Sequence, residues 1–384
     1  MDTTTQGVEP VAGGDFQQAV GRIIHTAVQR GASDLHIKAG DVFRARIHGA
    51  LIPLTKQRLT PEQTRAIALQ LIPRERDRAL IDELNDYDCS WGIPGVGRFR
   101  VNILRQRGSF MIVMRVIPFE IPTFEQLGLP QVLGDIAAQE RGLVLVTGVT
   151  GSGKSSTQAA MIGHMNQHMR RHVVTLENPI EFLHRDLNCS ITQRDVGIDT
   201  DSFRVGLRAA LRQDPDVIQI GEMRDAETID IALKAAETGH LVISTVHTRD
   251  AASTISRLVA TFPPEEQPMA RLRLAESLQA VVSQRLLPSK DGKGRVLAAE
   301  IMVVTGTIRD CIADPERVEE IREHIAEGRT TYGMQTFDQC LMELVQSERV
   351  DYNMAKAAAT NPGDFELKLN MLSGRGGGAT TSFY

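Results

Sequence analysis

The chain has 384 residues, room for about two to three domains at roughly 150 residues each. Hydrophobic residues make up 42% and charged residues 24%, a globular balance, and the formal charge of −5 argues against a dedicated nucleic-acid coat protein. No apolar run approaches the ~18 residues that span a bilayer, and residues 1–14 carry no basic and apolar leader, so the expectation is a soluble protein kept in the cytoplasm.

In chain order, residues 1–14 read as a disordered N-terminus. A helix follows, with Asp15 as its N-cap and Phe16, Val20, Ile23, Ala27 and Val28 on one face, and Gly31 ends it. Strand-like runs cover 34–37 and 43–47, and 59–72 reads as a helix opened by Thr60-Pro61-Glu62. In 98–104, Phe99, Val101 and Ile103 alternate with Arg98, Arg100 and Asn102, which is strand period. A turn near Gly108 leads into a second strand at 109–116, closing an α+β domain over 15–116.

Pro118, Pro122 and Pro130 make 117–130 a semi-rigid linker. Beyond it, strand-like runs at 143–146, 173–177, 217–220 and 241–246 alternate with helical stretches, which predicts a mostly parallel sheet covered on both faces. From Glu265 onward the pattern reads as mostly helical, with Met269, Leu272, Ala275 and Leu278 as a core stripe. The predicted divisions are 131–300 for the sheet domain, 301–372 for a helical C-terminal region and 373–384 for a flexible tail. Cys89, Cys189, Cys311 and Cys340 form no CxxC pair, which excludes a zinc ribbon and leaves buried or incidental thiols.

The chemistry starts at Gly148-Val-Thr150-Gly151-Ser152-Gly153-Lys154-Ser155-Ser156, which contains GxxxxGK[ST] between an apolar strand and a helix. Glycines let backbone N–H groups curl around phosphate oxygens, and the helix N-terminus favours an anion. Lys154 is expected to reach the β and γ phosphates of ATP and Ser155 to ligate Mg2+. A nucleotide also needs acids at neighbouring strand ends, where open α/β sheets hold ligands. Glu177 and Glu181, Glu222, and then His247 stand at three such ends.

Gly-Ala-Ser33-Asp34-Leu-His36, the phosphate loop, Thr175-Leu-Glu177-Asn-Pro-Ile-Glu181, Asp214-Pro-Asp216-Val-Ile-Gln-Ile-Gly-Glu222 and Thr245-Val-His247-Thr occur in the order found in secretion ATPases. The chain resembles these hexameric motors of type II secretion, type IV pili and type IV secretion, and within them the PilT-like pilus-retraction branch; Ala235-Ala-Glu-Thr-Gly-His240 and Gly333-Met-Gln-Thr336 add to the likeness.

The resemblance implies an N-terminal PAS-like α+β domain joined to a RecA-like P-loop ATPase domain with helical C-terminal additions. It implies that Glu181 orients or activates the attacking water and that Glu222 acts on Mg2+ directly or through water. His247 would link the γ-phosphate to the neighbouring subunit. Between residues 98 and 115 lie Arg98, Arg100, Arg105, Arg107 and Arg115 with no acid among them. A solvated basic strand face and an anion-binding patch both account for that, and the resemblance favours arginine fingers at Arg98, Arg100 and Arg115 that reach ATP on the next subunit. Arg208 and Arg212 share a helical face, either exposed or in contact with a neighbouring subunit.

The implied protein is a homo-hexameric ATP hydrolase that disassembles a type IV pilus and drives twitching motility. It would sit peripherally on the cytoplasmic face of the inner membrane against a pilus platform protein, beside a paralogous retraction ATPase, with no nucleic acid bound. Alternatives are an accessory PilU-like ATPase or nucleotide-gated scaffold and, opposed by the 4% aromatic content, a nucleic-acid translocase. Retraction rather than assembly is expected because only 1–14 precedes the first helix and no tetracysteine element follows the Glu222 strand.

Three departures stand out. Asn178 replaces the aspartate of the Glu-Asp-Pro box, and Gln219 interrupts an apolar strand and needs a hydrogen-bond partner if buried. Thr307-Ile-Arg309-Asp-Cys-Ile-Ala313 keeps only Ile308, Arg309 and Ile312 of the Ala-Ile-Arg-Asn-Leu-Ile-Arg-Glu motif of retraction relatives.

Overall fold

The computed structural model describes residues 14–117 and 120–372. The expected N-terminal and C-terminal disorder and Pro118 therefore lie outside the described residues, apart from Gly14, which opens the first helix. Two compact units compose the rest, one within Met1–Ile121, Glu177–His184 and Gln193–Ser202, the other within Pro122–Leu176, Arg185–Thr192 and Phe203–Tyr384.

The first unit holds β1 (Ala32–Lys38), β2 (Arg44–Ile47), β3 (Ala50–Pro53), β4 (Asp86–Ile93), β5 (Gly97–Gln106) and β6 (Ser109–Ile117). They form an antiparallel sheet of order β3-β2-β1-β6-β5-β4. Arg107 and Gly108, both at positive φ, turn β5 into β6 as the sequence predicts. Strand alternation sorts this sheet into two faces. Leu35, Ile37, Phe99, Val101, Ile112 and Met114 are buried against the helices Gly14–Gln29 and Pro61–Leu71, while Arg46, Asp34, Arg115, Arg100 and Ser90 run as one cross-strand row on the other face. The helix Pro61–Leu71 starts with a capping box, the Thr60 hydroxyl accepting from Gln63 N–H and the Gln63 side chain accepting from Thr60 N–H.

The remaining strands are β7 (Gly142–Gly148), β8 (His172–Glu177), β9 (Ser190–Asp195), β10 (Val217–Ile220), β11 (Leu241–Val246), β12 (Leu278–Pro288) and β13 (Arg295–Val303), in the order β13-β12-β7-β11-β10-β8-β9. β12, β7, β11, β10 and β8 pair in parallel, and β13 returns antiparallel to β12. Every residue of β7, β10 and β11 is buried, as expected where helices cover both faces. Leu143 and Leu145 belong to the core of one face, with the helices Ala226–Glu237, Ala251–Val259 and Gln267–Ser277; Val144 and Val146 belong to the other, with the helix Lys154–His168. The helices Phe337–Gln346 and Pro362–Leu372 bury Phe337, Leu341 and Phe365 against Leu287, Val296 and Ala298 of the β12–β13 hairpin.

Two expectations need correction. The stretch after Glu265 is not mostly helical at first, because β12 and β13 extend the parallel sheet. Ala280, Ala298 and Ala299 dilute the β-branched signal of Val281, Val282 and Val296 there. Nor is the predicted core stripe all core: Met269 is 62% and Leu272 49% exposed, and the inward face of that helix is Ala270, Leu274 and Ala275. The helix carrying Arg208 is Phe203–Ala210, so Arg212 lies past its end, and Arg208 and Arg204 both bond Glu227. All four cysteines are free and buried, in line with the thiol reading.

Candidate nucleotide site

β7 ends at Gly148, and the chain turns through the predicted loop into the helix Lys154–His168. Gly148 has φ 143°, and a Cβ there would lie 2.4 Å from Ser152 Oγ and 2.6 Å from the Gln284 carbonyl. Gly153 takes the left-handed N-cap position at φ 95°. Val149, Thr150 and Gly151 are exposed, whereas Ser152 and Lys154 are buried. Lys154 Nζ donates to the carbonyls of Gly148 at 2.9 Å and Val149 at 3.0 Å, so its cation is held inside the loop's curve. Ser155 and Ser156 follow, half-buried, in the first turn of the helix. The buried Ser152 Oγ has no hydrogen-bond partner among the described residues, an orphaned donor inside a cradle shaped for phosphate oxygens.

The ends of β10 and β11 supply the facing groups. Glu222 follows β10 by two residues and His247 follows β11 by one. His247 Nε2 lies 3.6 Å from Glu222 Oε2, and Arg224 Nε donates to that same oxygen at 2.7 Å. Burial and the nearby Lys154 cation hold the His247 imidazolium below its ordinary range, with Glu222 opposing them. Both effects favour the neutral imidazole. Gln219 finds the partner that its burial demands: its Nε2 donates to Gln158 Oε1 of the loop's helix at 3.3 Å. Ser155 Oγ and the Glu222 carboxylate are hard oxygen donors of the kind that Mg2+ takes.

Glu181 lies in Glu177–His184, the segment grouped with the first unit; it is exposed, with its N–H 3.5 Å from Glu177 Oε2. The peptide bond between Asn178 and Pro179 is cis. Of the arginines in that unit, Arg98 Nη2 donates to Asp195 Oδ2 at 2.9 Å, and Ser90 Oγ donates to the same buried oxygen at 2.5 Å. Arg115 Nε pairs with Asp34 at 2.9 Å, yet its side chain stays 71% exposed. Arg100 lies between Arg115 and Ser90 in the cross-strand row, exposed, with no ion pair among the described residues.

One residue escaped the sequence reading. Glu300 of β13 is buried and accepts the Ala251 N–H at 2.9 Å, anchoring the helix that follows the His247 loop. Burial pushes its carboxyl up to about 7. No motif marks it; the only sequence signal is a single acid inside an apolar strand.

A phosphate loop on the first strand of a parallel sheet, with an acid and a histidine at the ends of the adjoining strands, defines a P-loop ATP hydrolase. The chain belongs to the type II/IV secretion system protein family, whose model matches residues 13–365. It is 44% identical over 339 residues to the type IV pilus retraction ATPase PilT of Pseudomonas aeruginosa, 88% of this chain and 97% of that protein. It is 40% identical over 354 residues to the type IV pilus ATPase PilU of the same organism, 92% of this chain and 91% of that protein. A crystal structure of the pilus retraction motor PilT with bound ADP superposes with a TM-score of 0.80 at 43% identity, covering 90% of this chain and 98% of that one. The expected fold class and ATPase activity are therefore met. Among the described residues, no helix is long and apolar enough to cross a membrane.

Proposed function

We propose that the chain is a Mg2+-dependent ATP-driven motor that withdraws type IV pili and so powers twitching motility. The observation that carries the reading is the Lys154 cradle facing the Glu222–His247 pair, on a chain similar over nearly its whole length to PilT. Lys154 leaves its two loop carbonyls to bind the β and γ phosphates, and the Ser152 hydroxyl and loop N–H groups close around them. Ser155 and Glu222 would hold Mg2+, which would supply charge neutralisation at the phosphates. Glu181 orients the attacking water and takes its proton. His247 senses the γ-phosphate. Arg100 and Arg115 of one subunit complete the site of the next in a ring of six, and closure and release around the ring become mechanical work. A pilus platform protein in the inner membrane receives that work, and the ring rests against it at the cytoplasmic face.

A second reading has its own support: the likeness to PilU covers 92% of the chain. In that reading the protein assists a paralogous principal motor. The test is filament number and twitching in cells lacking the gene, complemented with wild type or Lys154→Ala. Excess pili without twitching in the Lys154→Ala cells support the motor, a near-normal phenotype supports the accessory role, and bald cells reverse the direction.

A further inference from the structure

Far along the chain from the phosphate loop, three metal-binding side chains converge. Cys311 lies in the helix Gly306–Ala313, Glu320 ends the short 3-10 turn Val318–Glu320, and His324 sits in the helix Ile321–Glu327. One sulfur, one carboxylate oxygen and one imidazole nitrogen all lie within 4.8 Å of one another. Cys311 Sγ is 3.9 Å from Glu320 Oε2. We propose that Cys311, Glu320 and His324 form a zinc site that clamps the helix Gly306–Ala313 to the helix Ile321–Glu327.

The local fold explains the convergence. Ile308 and Ile312 are buried in the same core as Ile321 and Ile325, so the two helices are already fixed against each other. Cys311 is on the buried side of its helix, and its thiol forms the floor. Glu320 and His324 are four apart, which stacks them on one helical face above that floor. Their exposure makes the rim from which an ion enters: the Glu320 side chain is 46% and that of His324 27% exposed. A second carboxylate, Glu327 Oε2, lies 3.3 Å from His324 Nδ1 and can orient the ring.

The donor set selects the metal. Thiolate with imidazole and carboxylate suits Zn2+, and magnesium or calcium would take oxygens alone. Tetrahedral bonds to zinc place such donors roughly 3.4–3.6 Å apart, so no donor pair within 4.8 Å needs to close by more than about 1.4 Å. Arg317 donates two bonds to Glu320 Oε2 at 3.0 Å, an exposed pair that an ion can displace. Water or Glu327 completes the fourth position. The ligands come from positions 311, 320 and 324, so no paired-cysteine spacing announces them. One of them, Cys311, falls where the chain departs from the retraction-type motif, between Arg309 and Ile312.

The test uses the full chain with any histidine tag removed, stripped with chelator and titrated with Co2+ and then Zn2+. Wild type should bind one Co2+ per chain and show a thiolate-to-cobalt charge-transfer band, which Zn2+ bleaches. Cys311→Ser should lose the band. Glu320→Gln and His324→Gln, both nearer the surface, should fold normally and weaken binding by at least ~10-fold. Zinc should raise the melting temperature of wild type and leave the variants' unchanged. No band in folded wild type, or equal affinity in Glu320→Gln and His324→Gln, overturns the site.

Discussion

Along β5 of the first unit, Arg98, Arg100 and Asn102 alternate with buried Phe99, Val101 and Ile103, whereas every residue of β7 in the second unit is buried. Both sheets are built from apolar strands, yet they can offer chemistry only in different places. An antiparallel sheet with one wet face carries charged side chains along its whole length, and cross-strand register decides which of them meet. A parallel sheet covered on both faces has no room for charge except at strand ends, so Gly148, Glu222 and His247 stand just where β7, β10 and β11 finish. Substitutions at strand ends should therefore change turnover with little effect on folding, and substitutions on the wet face should split into those that bind phosphate and those that hold the sheet.

The largest effect is expected at the loop. Lys154→Ala removes the cation that meets phosphate, and ATP turnover should fall by at least ~10³-fold, the scale for a charge-stabilising donor. The melting temperature should move little, because the bonds from Lys154 to the Gly148 and Val149 carbonyls stay within its own loop. Glu181→Gln comes next. It should still bind Mg·ATP and slow hydrolysis by ~10²-fold, as for loss of a general base. Near-normal turnover in that variant would hand the role to another carboxylate, with Glu177 the first to test.

Arg98 and Arg100 put the comparison under strain within one strand. Arg98→Ala strips the buried Asp195 of its guanidinium, leaving Ser90 alone to satisfy that oxygen, at a cost of about 2 kcal/mol in stability. Arg100→Ala breaks no ion pair among the described residues and should leave the melting temperature unchanged. If Arg100 reaches a neighbour's phosphate, its loss should slow turnover about tenfold, roughly one charge-assisted hydrogen bond. Calorimetry and steady-state phosphate release on the same two preparations separate these. Equal melting temperatures for both variants would mean that Asp195 does not hold Arg98 in solution.

What the sequence made legible follows the same division. The phosphate loop, Glu222 and His247 are short-range patterns, a few residues beside an apolar strand, and their places at strand ends were readable because such positions are written locally. The Ser90–Asp195–Arg98 cluster joins residues about a hundred positions apart, and no spacing rule links them. The alternation of β5 identified the face of Arg98 and Arg100 but could not tell a partnered arginine from an open one. β12 and β13 were missed because β-branched residues are sparse in them, Val281 and Val282 in the first and Val296, Ile301 and Val303 in the second. The outward turn of Met269 and Leu272 was missed because the face that packs, Ala270, Leu274 and Ala275, carries only one large apolar residue.

Glu300 supplies the smallest and most discriminating prediction, since it is a titratable group inside the second sheet, where the comparison leaves no room for charge. It stands opposite Ser283 on β12 and is buried, accepting a hydrogen bond from Ala251 N–H. Unfolded, it releases its proton near the ordinary 4.5; folded, burial holds the proton until about 7. Between those values the native state binds the extra proton, so this group's contribution makes stability fall as pH rises through the window and level off above it. Glu300→Gln keeps an acceptor for Ala251 and cannot ionise. The stability of wild type minus that of Glu300→Gln should therefore decline by at most ~1.4 kcal/mol per pH unit between about pH 5 and 7. Glu300→Ala should also release the helix Ala251–Val259 from β13 and loosen the loop that carries His247, lowering turnover where Glu300→Gln does not. Parallel stability curves for wild type and Glu300→Gln across that window would show that the carboxylate is ionised in the fold, and the sheet would then tolerate a buried charge after all.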